Sequence, residues 1–455
     1  MMREITRKRL GQVLLCLLVS MTVVIVGCQS EVPVEPTVTP TAIPTPIPTQ
    51  MPNALFVNAT QQLGDINPYV YGTNFGPWIT VPFDLIPQAE NAGIRFLRFP
   101  GGNWGDLNKI THRQVDQFIK LCEQMGAEPQ ISVRLRGGTP EQAVELVTYA
   151  NIEKEYGVKY WSIGNEPSLY DDYDTNRYNE EWRQFAEAML AVDPDILLIG
   201  PDTHQYTGGP DVDPKDENGR DWVQAFLEAN GDMVDIVAVH RYPFPRTMTS
   251  VTTIPELRAS SSEWDTIIPN LKTLINETTG RDLPVAITEV NSHWSKVISQ
   301  EATPDSHFNA IWWGDVLGRM IEQEVDIVAH FVLQTKDGAG GWGLLARDHV
   351  RPTYYVYQLY QQFGQIRLTS ASDVPNVSVY AAEREDGTIT VIVINLGDAD
   401  MDVPLQIVGD VGETAVIHRL DPAHNAENLG EISFKNTDAI TLPGQSISLY
   451  LFETE

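Results

Sequence analysis

Two glutamates stand out for where they fall in the sequence. Glu166 ends the run YWSIGNE (Tyr160–Glu166), and Glu289 ends LPVAITE (Leu283–Glu289), so each directly follows an apolar, strand-like stretch. A carboxylate in such a place is costly unless it is paired or used. Two carboxyls flanking a sugar can cut a glycosidic bond, one giving a proton and the other attacking the anomeric carbon. About 5–5.5 Å between them yields retention, and roughly 6.5–9.5 Å seats a water and yields inversion. Polar residues after other apolar runs supply the remaining parts. Arg98 can compensate the charge of Glu289, and Tyr242 can hydrogen-bond the same carboxylate. Exclusion of water and the nearby charge of Glu289 are expected to raise the pKa of Glu166, as an acid requires. Asn165 and Asn103 can bond sugar hydroxyls, and Arg98, His240 and Tyr242 are expected beside them among the substrate-binding residues. Trp104, Trp294 and Trp342 offer flat faces to sugar rings.

The elements that must position these residues show in the periodicity. Short β-branched or aromatic runs begin at Tyr69, Ile94, Pro129, Val158, Ile196, Asp235, Leu283 and Asp326, with helical patterns between them. Continuous apolar strands joined by helices imply a parallel sheet covered on its outside. Eight such units predict an α/β fold of the (β/α)8 TIM barrel type, with a doubly wound open sheet as the competing arrangement. Active sites of such barrels lie at the C-terminal strand ends, where the polar residues above are found. The helix YYVYQLYQQFG (Tyr354–Gly364) closes this region. Seven short alternating strands follow, from VSVYAAE to SISLYLF, and predict a C-terminal antiparallel β-sandwich. Val115, Phe118, Ile119 and Cys122 recur at helical spacing, which makes Cys122 a core residue.

The N-terminus reads as an address. Arg3, Arg7, Lys8 and Arg9 precede an apolar run from Leu10 to Val26 that ends at Gly27-Cys28. The pattern fits a secretory signal, and Ile25-Val26-Gly27-Cys28 resembles the bacterial lipobox, which implies lipidation of Cys28. Residues 31–52 hold seven Pro and five Thr, a composition that leans toward polyproline II and serves as a tether. The expected domains are a lipoprotein signal peptide at 1–27, a lipidated Cys and Pro/Thr-rich linker at 28–52, a catalytic barrel at 53–364 and the sandwich at 365–455. Export with a lipid anchor at the bacterial cell surface, on the outer face of a membrane, is the localisation this implies. With 31 Lys+Arg against 61 Asp+Glu, the formal charge is −30. That balance argues against nucleic acid as a partner, because neutralising phosphates needs clustered bases.

These strand ends carry a family resemblance. The chain resembles the clan A glycoside hydrolases, retaining (β/α)8 enzymes with an Asn-Glu acid/base after the fourth strand and a Glu nucleophile after the seventh. RFPGGN (Arg98–Asn103) and His240-Arg241-Tyr242 look like the α-L-arabinofuranosidases of that clan. YWSIGNEP and ITEVNS look closer to the β-xylosidases and the heparanase-type β-glucuronidases. The likeness spans about residues 54–455, since those families append a β-sandwich to which a segment like LFVNAT (Leu55–Thr60) often contributes. It implies Glu166 as acid/base, Glu289 as nucleophile, Asn165 as a substrate ligand, and Tyr242 and Arg98 as partners of the nucleophile. One departure is Val290, where the arabinofuranosidases usually carry Trp after the nucleophile. The expectation is a retaining glycoside hydrolase acting on poly- or oligosaccharides, and the alternative is a non-catalytic carbohydrate-binding surface lipoprotein. No HExxH, CxxC or P-loop occurs, so no metal and no cofactor are expected. The Gly-rich stretch Gly338–Gly343 is expected to be a mobile loop over the site, and Asp211–Asp221 a solvated loop. Arg134, Arg136, Arg241 and Lys336 near the mouth can bind a uronate or pair with local acids.

Overall fold

The structure, a computed structural model, describes residues 49–209, 212–247, 250–336 and 339–453. The expected signal peptide, Cys28 and the linker as far as residue 48 lie outside the described residues. After β1 (Leu55–Asp65), eight parallel strands close into a barrel. They are β2 (Gly72–Asn74), β3 (Phe96–Phe99), β4 (Glu128–Val133), β5 (Tyr160–Ile163), β6 (Leu197–Thr203), β7 (Ile236–Arg241), β8 (Val285–Val290) and β9 (Ile327–His330). β9 pairs back onto β2, which rules out the open sheet. Each of the eight apolar runs supplies one strand.

Side chains alternate along these strands with period two. Phe96, Tyr160, Ile199, Ile236, Ala238, Ala286 and Ile327 fill the barrel interior as one cluster. Their neighbours Leu97, Trp161, Leu198, Val237, Val285 and Ile287 face the outer helices. The same alternation points Arg98 inward two residues above Phe96. At the mouth the alternation breaks. Ala286 and Thr288 face inward, so a regular strand would turn Glu289 toward the helices. Irregular pairing between Val239 and His240, and between Ile287 and Val290, turns it inward instead. On β6 a similar irregularity between Pro201 and Thr203 accommodates Asp202 at φ 53°. Bulges of this kind re-aim side chains next to active sites.

The second layer is a nine-stranded sheet formed by β10 (Ile366–Ser372), β11 (Val377–Glu383), β12 (Ile389–Asn395), β13 (Met401–Val408), β14 (Thr414–Asp421), β15 (His424–Ser433), β16 (Ala439–Leu442), β17 (Ser446–Phe452) and β1. It curls over its own apolar core, which includes Leu55, Leu368, Val391, Leu405 and Tyr450. Two features differ from expectation. β1 falls outside the barrel to which the 53–364 boundary assigned it and belongs to this sheet, as the resemblance implied for LFVNAT: it pairs antiparallel with β10 and parallel with β13. β10 itself carries too little apolar alternation to show in the sequence. The helix His307–Glu322 lies between barrel and sheet with almost every residue buried. Contact is close enough that a Cβ on Gly314 would meet Ile447 Cδ1 at 2.4 Å, and one on Gly318 the Tyr380 ring at 2.3 Å. Tyr380 Oη also donates to Asp315 Oδ1 at 2.7 Å. Cys122 is buried on its helix, as expected. The loop after residue 211 is less solvated than expected. Asp213 accepts from Thr207 N and Gly208 N, and Asp216 accepts from Thr175 Oγ1.

Candidate active site

Glu166 and Glu289 meet at the barrel mouth, with one carboxylate oxygen of each within 4.8 Å of the other. Glu289 Oε1 accepts from Arg98 Nη1 and from the backbone N of Gly102, both at 2.7 Å, and Oε2 accepts from Tyr242 Oη at 2.8 Å. Gly102 aims its N–H there from the left-handed region, at φ 62°, which glycine adopts without strain. Glu166 sits at φ 47° and is bonded to His240 Nδ1 at 3.0 Å. Burial alone would raise its pKa, but the protonated His240 outweighs burial and holds it below the ordinary glutamate range. This corrects the expected upward shift. Burial likewise disfavours charged His240, yet Glu289, Asp202 and Glu166 together push its pKa up to about 9. The excess proton of the pair therefore sits mainly on His240 at neutral pH.

Beneath the carboxylates lies a buried layer of charge. Arg98 is fully buried and also donates to Asn165 Oδ1 (2.8 Å), Asn74 Oδ1 (3.0 Å) and Asp202 Oδ2 (3.4 Å). Asp202 takes a bond from Thr288 Oγ1 and lies 3.6 Å from His240 Nε2. Burial alone would raise its pKa, but Arg98 and then His240 more than offset that and keep it strongly depressed. Asp106 holds the backbone together here: it accepts from the N–H groups of Leu135 (3.0 Å), Arg136 (3.1 Å) and Asn165 (2.8 Å), and from Tyr170 Oη.

The remaining expected residues divide by height. Glu166, Glu289, Asn103, Tyr242, Trp294 and Trp342 line a pocket of about 580 Å³. Trp294 is 45% exposed, and Trp342 is fixed by its indole N–H on His293 O at 2.6 Å. Trp104 lines a neighbouring groove instead. Arg98 and His240, expected to bind substrate, are fully buried below the pocket and act on the carboxylates. Asn165 is also covered, its amide held between Arg98 and Asn103. The Trp342 end of the Gly-rich loop is tied down rather than free, because Thr335 Oγ1 and Arg351 Nη1 both bond Trp342 O. Glu166, His240 and Glu289 are near enough to share a metal ion, but a cation there would meet Arg98 and protonated His240.

Sequence reasoning missed Asp202, Asp106 and Phe331. Asp202 follows the apolar run ILLIG, the same signal that singled out Glu166. Asp106 and Phe331 carry no local signal, since their roles come from backbone and ring contacts across the barrel.

No protein-family model matches the chain. It is similar to the probable alpha-L-arabinofuranosidase C of Aspergillus clavatus, 22% identical over 460 residues that cover 82% of this chain and 88% of that protein. It is also similar to an exo-alpha-(1->6)-L-arabinofuranosidase of Bifidobacterium longum, 23% identical over 69% of this chain and 73% of that protein. Among solved structures, the fold matches the alpha-L-arabinofuranosidase of Thermotoga maritima with TM-score 0.70, 18% identity, 88% of this chain and 99% of that one. It matches the metagenomic bifunctional glucanase-xylanase CelM2 with TM-score 0.70, 18% identity, 89% of this chain and 100% of that one. The barrel with its appended curled sheet is the fold these structures share, and the curated relatives support likeness to the clan A glycoside hydrolases. The chain is a glycosidase, and the curated relatives it matches along most of its length are arabinofuranosidases.

Proposed function

We propose that the chain hydrolyses glycosidic bonds with retention, Glu289 serving as nucleophile and Glu166 as acid/base. The carrying observation is the separation of the two carboxylates, whose nearest oxygens lie within 4.8 Å. That suits the roughly 5–5.5 Å of a double displacement and leaves no room for the water an inverting enzyme seats at about 6.5–9.5 Å. Oε1 of Glu289 already takes two donors, so Oε2, with only Tyr242, is the oxygen free to attack. The proton for the leaving group comes from the His240–Glu166 pair, crossing 3.0 Å from Nδ1 to Oε1 before reaching the glycosidic oxygen. The charge of Glu289 is the largest influence keeping that proton on His240. Formation of the glycosyl ester removes this charge, so the proton is released as it is needed. Glu166 then stands ionised beside a neutral His240, ready to draw a proton from the attacking water.

The relatives make arabinofuranosides the first substrates to test, while Val290 behind the nucleophile gives reason to include xylosides, glucuronides and glucosides. Glu289→Ala should lose activity by about three orders of magnitude or more. Glu166→Ala should keep much of its rate on aryl glycosides with good leaving groups and regain more with azide, since only protonation and water activation are lost. Normal hydrolysis by both variants, or an inverted product by NMR, would overturn the assignment. Tight sugar binding with no turnover would favour a carbohydrate-binding lipoprotein. We further propose export and anchoring through Cys28, on the residues of the N-terminal segment alone. Metabolic labelling with a fatty acid, compared with Cys28→Ser, tests it.

A further inference from the structure

The pocket around the carboxylates is not closed on all sides. A second groove of about 520 Å³ shares Gly102, Asn103, Phe331 and Trp342 with it. Glu166, Leu169, His204 and Gln205 belong to the first pocket only, whereas Trp78, Trp104, Leu107, Lys296 and Lys336 belong to the groove only. An aromatic floor links the two: Tyr242, Phe331 and Trp342 follow edge to face, with centroids 6.2 and 5.9 Å apart. Chemistry fixes which end of a substrate lies there. A leaving group protonated by Glu166 departs on the side of Glu166, Leu169 and His204. The groove beyond Gly102 and Phe331 lies on the opposite side, against whatever remains attached to the sugar that Glu289 holds.

Charge distinguishes the groove as well. Lys296 and Lys336 are exposed on it, and among the described residues no acidic side chain lines it and neither lysine makes an ion pair. The other cations near the mouth are occupied. Arg241 is bonded to Glu263 at 2.6 and 3.0 Å, Arg136 lies 3.4 Å from Asp171, and Arg134 Nε donates to Arg136 O. A groove whose described residues offer two unpaired lysines and no acid is notable in a chain with 61 acids to 31 bases.

We propose that this groove is a second sugar subsite, that it binds the unit next to the cleaved residue on its non-reducing side, and that this unit carries a carboxylate. Trp104 and Trp342 supply stacking faces, and the two lysines recognise the uronate. The proposal rests on the retaining-glycosidase reading. Three substrates test it with the whole protein: the aryl monoglycoside cleaved fastest in a screen, and the same glycoside extended at its non-reducing end with glucosyl or with glucuronosyl. The glucuronosyl compound should exceed the glucosyl one in kcat/KM by about tenfold at low salt, the scale of two solvent-facing ion pairs. The ratio should fall toward one in about 0.5 M salt and in Lys296→Ala/Lys336→Ala, and persist in Lys296→Arg/Lys336→Arg. A glucuronosyl substrate no better than the glucosyl one, or a preference unchanged in the alanine pair, overturns the subsite alone. Failure to cleave any aryl glycoside overturns the glycosidase reading and the subsite with it.

Discussion

At the scale of single residues, the site is a balance of buried charge, and His240 is where that balance is set. Its ring stands between Glu166 at 3.0 Å and Asp202 at 3.6 Å, with Glu289 Oε2 at 3.9 Å. The acid therefore shares its proton with a histidine whose pKa is about 9. Activity should stay high until the pH climbs through about 9 and then fall as the pair empties. In His240→Gln the cation that most depresses Glu166 is gone, and burial is then opposed only by the weaker influence of His204 and Arg98. The basic limb of kcat/KM should move to lower pH, because the proton now leaves from Glu166 itself. A limb that remains near pH 9 in His240→Gln would mean the proton resides elsewhere. The sequence put both residues at strand ends but gave the opposite shift for Glu166. Burial and Glu289 were readable from it; a facing imidazolium was not.

At the scale of elements, what the sequence reveals depends on how far the cause lies along the chain. Strand identity follows from local apolar runs, so all eight barrel strands were legible, and with them the strand ends where Glu166, Asn165, His240 and Tyr242 lie. The inward turn of Glu289 was not, because strict alternation sends it outward and the bulges correcting this arise from pairing with β7 and β9. The place of β1 in the C-terminal sheet rests on partners some 300 residues away and came only through family resemblance. Asp106 is the extreme case, a short-helix residue whose function is to bridge other loops. Its two oxygens serve three backbone N–H groups after β4 and β5, among them that of Asn165 next to Glu166. Asp106→Ala leaves those buried donors unsatisfied, which should cost on the order of 3 kcal/mol in denaturant unfolding. It should also lower kcat more than it raises KM, since it shifts the acid/base rather than the sugar-binding rings. An equal loss of stability with unchanged kcat would show that the loops hold their places without it.

At the scale of the whole molecule, histidines of opposite environment bound the pH range of the fold. His330 and His293 are buried mainly among uncharged groups, and burial pulls their pKa values down to about 3 and about 4. His204 and His418 shift in the same direction, burial again first. Below the ordinary histidine value of about 6.5, the unfolded chain takes up these protons and the native one does not. Stability must then fall with acid, by up to about 1.4 kcal/mol per pH unit for each such histidine until its native pKa is reached. His240 has the opposite sign. Its native pKa of about 9 lies above the unfolded value, so the stability it contributes is complete below about pH 6.5 and is lost as the pH rises through about 9. Together the two groups predict a stability dome with its top near pH 6.5. Its acid side should be shallower in His330→Gln, and its basic side shallower in His240→Gln. Thermal unfolding from pH 4.5 to 9.5 reads both limbs. An acid limb as steep in His330→Gln as in the parent would show that His330 is not buried in the neutral form, in which its Nε2 accepts from Asn291 Nδ2 at 3.2 Å.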